Sequence, residues 1–277
     1  MRHSYLIVIF LLSISWNMNA QQHPKGHYAD INELKMYYEI HGEGSPLVLL
    51  HGGGSTIEST FGRILPTLAK KHRVIAVELQ AHGRTSDRDR PLTFESDADD
   101  VAALLKHLGI PKAGFMGFSN GGTTCLQIAI RHPSIVDKLI VASAIYQREA
   151  MPAGFFEGMQ KVRFEDMPPP LKDAFLRVNP DSAALVNSFH RDVARMLAFK
   201  DIDDAAIKKI QAPVLVINGD ADVVSNEHAL KLSRTLPNAH LLILPGVHGE
   251  YIGEICSPHP ESKTPILVTE VIEEFLR

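Results

Sequence analysis

Six short segments of the chain are apolar at every position: 47–50, 74–77, 113–116, 139–142, 214–217 and 241–244. Strands without polar alternation are those covered on both faces of a parallel sheet. Between them lie stretches of helical period. Val101, Leu104, Leu105 and Leu108 mark one helix face, with Glu95, Asp97, Asp99 and Asp100 at its start and Gly109 and Pro111 at its end. A last helix is predicted with Thr264 as N-cap and Pro265 as N1, burying Val268, Val271, Ile272 and Phe275. Ahead of the first run, the residues near Tyr28 and the segment 35–40 read as an antiparallel hairpin. Alternation of strand and helix predicts an α/β fold, a mostly parallel central sheet with helices on both faces.

One insertion breaks the alternation. Residues 147–210 hold no strand-like run, but six of the twelve phenylalanines and four of the eight methionines. This composition suits a helical lid whose underside is an apolar pocket, as well as a small core of its own. The predicted organisation is a core of 21–146 and 211–277 around a lid of 147–210. Residues 1–20 read as a secretory leader, with Arg2 ahead of an apolar stretch from Leu6 to Ile14 and a small Ala20 at the cut. The expectation is an exported protein, periplasmic or secreted, whose mature chain starts at Gln21. The leader's apolar stretch is short for a permanent span, so stable membrane insertion is not expected.

Composition adds exclusions more than assignments. A net charge of −4 leaves no basic footprint for nucleic acid. Two cysteines, Cys125 and Cys256, do not make a disulfide framework, and neither has the neighbours of a zinc site. No metal and no organic cofactor is expected.

The chemistry concentrates in Gly117-Phe118-Ser119-Asn120-Gly121-Gly122, between an apolar run and a helical one. A serine at a tight strand-to-helix turn, with glycines two residues to either side, is the nucleophile-elbow pattern. Serine needs a general base, normally a histidine oriented by a carboxylate. Of fourteen histidines, His248 directly follows the last apolar run, on the sheet edge that Ser119 occupies. His228, His240 and His259 lack that placement. Asp220 and Asp222 both follow the run 214–217; Asp222, further along the loop, better reaches the histidine, and Asp220 suits a turn-locking role. His51-Gly52-Gly53-Gly54 follows the first apolar run and offers backbone amides for an oxyanion, with Gly53 and Asn120 as the candidate N–H donors. The lysine and spacing of a phosphate-binding loop are absent.

From about His27 onward the chain resembles the α/β-hydrolase superfamily, through His51-Gly52-Gly53-Gly54, the elbow at Ser119, Gly219-Asp220-Ala221-Asp222 and His248-Gly249. The segment 78–86 resembles the family's Asp-x-Arg-Gly-His-Gly-x-Ser loop, with Glu78, Gln80 and Ala81 in place of Asp, Arg and Gly. The resemblance implies a serine esterase acting through a Ser119–His248–Asp222 triad; the leader adds export, and the apolar lid favours a small to medium hydrophobic acyl substrate. Lactonases, carbon–carbon bond hydrolases, perhydrolases and proline-type aminopeptidases share the framework, and Glu157, Glu165, Asp166 and Asp173 are lid acids able to hold a substrate amine. A non-catalytic binding module on the same scaffold is the remaining alternative.

Overall fold

The computed structural model describes residues 26–277; the leader lies outside them. Eight strands form one sheet: β1 (His27–Ile31), β2 (Leu34–His41), β3 (Ser45–Leu50), β4 (His72–Val77), β5 (Ala113–Phe118), β6 (Val136–Ala142), β7 (Val214–Gly219) and β8 (Ala239–Leu244). Their spatial order is β1-β2-β4-β3-β5-β6-β7-β8. β1 and β2 form the antiparallel hairpin, β2 runs antiparallel to β4, and β3 to β8 are mutually parallel. The hairpin turn has no glycine; Asn32 and Glu33 both take left-handed backbone, φ 47° and 70°.

The helices are α1 (Ile57–Phe61), α2 (Leu65–Leu68), α3 (Phe94–His107), α4 (Asn120–Arg131), α5 (Phe155–Met159), α6 (Pro169–Val178), α7 (Ser182–Ala198), α8 (Asp204–Ile207), α9 (Asn226–Thr235) and α10 (Thr264–Leu276). The continuous apolar runs are explained by two cores, one on each sheet face. Along β3, Val48 and Leu50 join the core containing Val101 and Leu104 of α3 and Leu126 of α4. Leu47 and Leu49 point the other way, to Ile57 and Phe61 of α1 and Val268 and Ile272 of α10. Every position is buried because successive side chains meet different helices.

The run in β8 differs. This strand is at the sheet edge and only partly covered, with Ile243 37% exposed. Two details of α10 also depart from the sequence reading. Thr264 is the first helical residue, and the hydroxyl that accepts its N–H is Ser262. Val271 is 40% exposed while Val268 and Ile272 are buried. Asp97 and Asp100 are more than dipole-stabilising acids at the start of α3: both are buried, and they pair with Arg195 and Arg88. α3 is capped instead by Thr93 and Ser96, whose side chains bond each other's backbone N–H.

Between β6 and β7 the chain leaves the sheet to build the lid, α5 to α8. Its apolar residues form two small clusters, one around Met196 and Phe199, the other around Phe175, Leu185 and Phe189. After β3 the chain continues to β4 on one side, and after β5 to β6 on the other. Loops leaving adjacent strands in opposite directions open a crevice at the strands' C-terminal ends. Leu50 and Gly117 are register partners there, which sets the Gly-rich loop beside Ser119.

Candidate active site

Ser119 directly follows β5 and precedes the first turn of α4, with φ 54° and ψ −119°. A non-glycine residue at positive φ is strained, and the surroundings hold it there. Its N–H donates to Ala142 O at 2.8 Å, and its carbonyl accepts from Gly122 and Thr123. The two flanking glycines are required by close approach. A Cβ on Gly117 would lie 2.1 Å from Gly121 O, and one on Gly121 would lie 2.1 Å from Leu50 O. The elbow is wedged against β3, and no side chain fits at either position.

Asp222 and His248 arrive from the loops after β7 and β8. Asp222 Oδ1 accepts from His248 Nδ1 at 2.7 Å and from the Val224 N–H at 3.0 Å. A carboxylate at Nδ1 selects the neutral tautomer whose Nε2 is an acceptor. Asp220 meets Gly246 N–H at 2.8 Å and takes no part in the histidine contact. His248 remains one-third exposed, and its ring tilts over Phe118 with centroids 4.7 Å apart.

The sequence did not point to two further residues beneath this pair. Ser143, directly after β6, has φ 49°, and its Oγ lies 2.5 Å from both Asp222 Oδ2 and Tyr251 Oη. A carboxylate only accepts, so the Ser143 hydroxyl donates to Asp222 and accepts from the fully buried Tyr251. Burial pushes the Asp222 carboxyl up, but the donors from His248, Ser143 and Val224 prevail and hold it below its ordinary value. The available signal for Ser143 was faint: a polar residue at the C-terminal end of an apolar strand on the functional rim.

On the opposite side of Ser119, the backbone N–H groups divide into two classes. Those of Gly52, Gly54, Ser119 and Gly122 all have protein acceptors. Those of Gly53, Asn120 and Gly121 have none among the described residues, and of these Gly53 and Asn120 line one cavity with Ser119. A Cβ on Gly53 would lie 2.5 Å from Asn120 Nδ2 and 3.2 Å from Asp192 Oδ2, so a side chain there would have to displace the Asn120 amide.

Behind this loop, two buried histidines lie with ring centroids 4.9 Å apart and differ in protonation. His51 Nδ1 donates to Gly52 O at 2.7 Å while its Nε2 accepts the Leu79 N–H at 3.0 Å, so the ring is neutral. Burial, and then the charge of His82, push its pKa down to about 3. His82 Nδ1 faces Gln80 O at 2.8 Å, and Nε2 faces Asp192 Oδ2 at 2.8 Å. Two acceptors require two donors, so this ring is an imidazolium. Burial pulls its pKa down, yet Asp192 outweighs that and raises it. Asp192 comes from lid helix α7, is held well below the carboxylate range by His82 and Arg195 despite its burial, and also pairs with Arg195. Arg195 in turn reaches Asp97 at 2.8 Å.

Ser119 and His248 line a cavity of about 320 Å³ between sheet edge and lid. Met151, Phe155, Met159, Phe189 and Met196 roof it; among the described residues no Lys or Arg lines it, and its carboxylates are Asp166 and Asp192. Of the four lid acids noted from sequence, Asp166 lines the cavity, while Glu157, Glu165 and Asp173 do not. Cys125 is buried and Cys256 exposed, and both are free. Among the described residues no helix is long and apolar enough to cross a membrane.

Residues 45–175 match the family model of the alpha/beta hydrolase fold. The human serine hydrolase BPHL is 30% identical over 242 residues, covering 80% of this chain and 79% of that protein. The dihydrolipoyllysine-residue acetyltransferase component of the acetoin cleaving system of Pseudomonas putida is 27% identical over 245 residues, 81% of this chain; the match spans 64% of that protein's length. Among solved structures, the CarC serine hydrolase involved in carbazole degradation superposes with a TM-score of 0.73 at 23% identity, over 91% of this chain and 98% of that one.

Proposed function

This chain belongs to the α/β-hydrolase family as a serine-hydrolase-type enzyme, and we propose that it cleaves a carboxylic ester or related acyl bond through an acyl-enzyme on Ser119. In this mechanism Ser119 Oγ attacks the acyl carbon while His248 Nε2 takes the hydroxyl proton. Asp222 fixes the imidazole tautomer and balances the imidazolium. The carbonyl oxygen becomes an anion received by the N–H groups of Gly53 and Asn120, with the N-terminus of α4 adding its positive end. As the tetrahedral adduct collapses, His248 returns the proton to the departing alcohol. Water, deprotonated by His248, then attacks the acyl carbon and releases Ser119 and the acid.

The observation that carries this reading is the pair of unengaged N–H groups flanking Ser119 in a cavity that His248 also lines. Both residues line the cavity, so their N–H groups are open to a substrate oxygen, and a developing oxyanion supplies the acceptor. The roof of Met and Phe side chains favours an uncharged, hydrophobic acyl substrate, and a lining with no Lys or Arg among the described residues offers an anionic one no partner. Asp166 in the lining keeps a second reading alive, an amide substrate with a free amine.

A fluorophosphonate probe should label the wild type and fail on Ser119→Ala. A panel of p-nitrophenyl esters, lactones and prolyl amides then separates the bond classes; turnover of amides alone would overturn the ester preference. Unlabelled but well-folded wild type would return the chain to a binding role. The proposal includes export after cleavage at Ala20, which N-terminal sequencing of the mature protein tests by finding Gln21 first.

A further inference from the structure

Gly53 has no Cβ, so nothing in its own side chain fixes the two peptide planes that meet at its Cα. Each plane is anchored from outside. The 52–53 plane carries the Gly53 N–H at one end and the Gly52 carbonyl at the other. That carbonyl accepts from His51 Nδ1 at 2.7 Å and from the Ser55 N–H at 3.3 Å. Because the peptide is planar and trans, pinning the carbonyl aims the N–H the opposite way. The 53–54 plane is pinned by its own N–H, which donates to Asp192 Oδ2 at 2.5 Å. The Gly54 N–H also lies 3.3 Å from His82 Nε2, but that nitrogen carries a proton for Asp192, and the carboxylate is much closer.

Asp192 is 138 residues away from Gly54 in sequence and belongs to the lid. Its helix is fastened to the same stretch of core by Arg195 to Asp97 at 2.8 Å, Arg191 to Asp87 at 2.8 Å and Asn187 to Asp87 at 2.9 Å. A lone carboxylate beside an oxyanion site would oppose the charge that develops there. Here Arg195 and the His82 imidazolium both contact it, so the cluster keeps its grip on Gly54 without imposing an unbalanced negative charge.

We propose that Asp192 is a positioning residue for the oxyanion loop: from the lid helix it holds the Gly54 N–H and so fixes the 53–54 plane, making the placement of the Gly53 Cα, and with it the free end of the 52–53 plane that carries the Gly53 N–H, depend on the lid being seated. The inference rests on the oxyanion role assigned to Gly53 above. Lid seating and transition-state stabilisation are then coupled, and a displaced lid leaves Ser119, His248 and Asp222 in place while the loop that carries the Gly53 N–H loses one of its two anchors.

The test uses the full mature chain with Asp192→Asn, which keeps an acceptor for Gly54 but removes the charge held by Arg195 and His82, and Asp192→Ala, which removes both. Asp192→Ala is expected to lower kcat for a p-nitrophenyl ester at least tenfold with KM within twofold, and to slow fluorophosphonate labelling in proportion. Asp192→Asn should recover part of that loss. Amide hydrogen exchange at Gly54 should accelerate in Asp192→Ala whether or not the chain turns over esters. Wild-type kcat in a folded Asp192→Ala, or a lowered Tm with kcat unchanged, overturns the proposal. Should Asp192→Ala fail to fold, Asp192→Asn decides alone: wild-type kcat and unchanged Gly54 exchange overturn it. An unlabelled wild type removes the proposed activity, and the exchange measurement still reads the Asp192 contact.

Discussion

Replacing Ser143 by alanine tests the support beneath the carboxylate–histidine pair. The change removes the hydroxyl donated to Asp222 at 2.5 Å and the acceptor used by Tyr251 at 2.5 Å. A hydrogen bond to a charged group contributes about 1.5–3 kcal/mol, and a buried hydroxyl left unpaired costs about 1–3 kcal/mol. Partial relaxation offsets some of this, so the expected loss of unfolding free energy is about 3 kcal/mol, a large share of the roughly 5–15 kcal/mol that holds a domain together. Ser143→Gly removes the same bonds but relieves the strain of φ 49°, so its loss should be smaller by about 1 kcal/mol. The pH dependence follows from Asp222. Its carboxyl is depressed in the folded state, so it contributes stability above the unfolded value of about 3.9. That stability disappears as pH falls through the lower folded value. Without the Ser143 donor the depression shrinks, and acid unfolding of Ser143→Ala should begin at a higher pH. Urea titrations at neutral pH and an acid titration followed by circular dichroism measure both effects. With the imidazole less firmly oriented, kcat should fall by about tenfold, ~1.4 kcal/mol of transition-state stabilisation. An unfolding free energy within about 0.5 kcal/mol of wild type and an unmoved acid midpoint would refute the argument.

Three other outcomes follow from the structure. Gly121→Ala would place a Cβ 2.1 Å from Leu50 O and 2.5 Å from His51 O; backbone on a central strand cannot yield, and the variant should be insoluble or lose more than about 3 kcal/mol, read by soluble yield and urea titration. Ala81→Gly should stabilise the chain by about 1 kcal/mol, because Ala81 sits at φ 63° where an alanine Cβ is strained and glycine is not; a lower Tm for the glycine variant would contradict this. Among p-nitrophenyl esters of matched length, an acyl chain ending in a carboxylate should show a KM at least tenfold above its uncharged counterpart, since the lining is mainly apolar and among the described residues holds no Lys or Arg to pair it; equal KM values would show that the chain end lies outside the cavity.

The sheet and the insertion of a helical lid were readable because burial on two faces leaves unbroken apolar runs, and the lid residues lack them. The elbow was readable for a related reason: at Gly117 and Gly121 the backbone of α4 and β3 excludes any side chain, a constraint written directly in composition. Distance along a loop placed Asp222 ahead of Asp220 as the histidine's neighbour, and that is the contact seen. Ser143 was not readable, because its contribution depends on a left-handed backbone and on partners 79 and 108 residues away. Asp192 was hidden differently: on a lid helix between Arg191 and Arg195 it has the pattern of a solvated acid, and only the packing of α7 against the loops after β3 and β4 buries it. The half-exposed β8 was misread because periodicity cannot distinguish an edge strand of apolar composition from a central one.

The cavity's ceiling divides between two packing units. Val162 and Phe189 pack in a cluster made of lid residues alone, whereas Met151, Phe155, Met159 and Met196 pack with Ile145 and Val224, which line the cavity from the strand side. A change of side chain at Val162 or Phe189 is therefore absorbed within the lid, while one at Met196 is felt at the rim. Such a layout lets the choice of acyl group drift by ordinary substitution at one end of the ceiling while the reactive alcohol stays where it is.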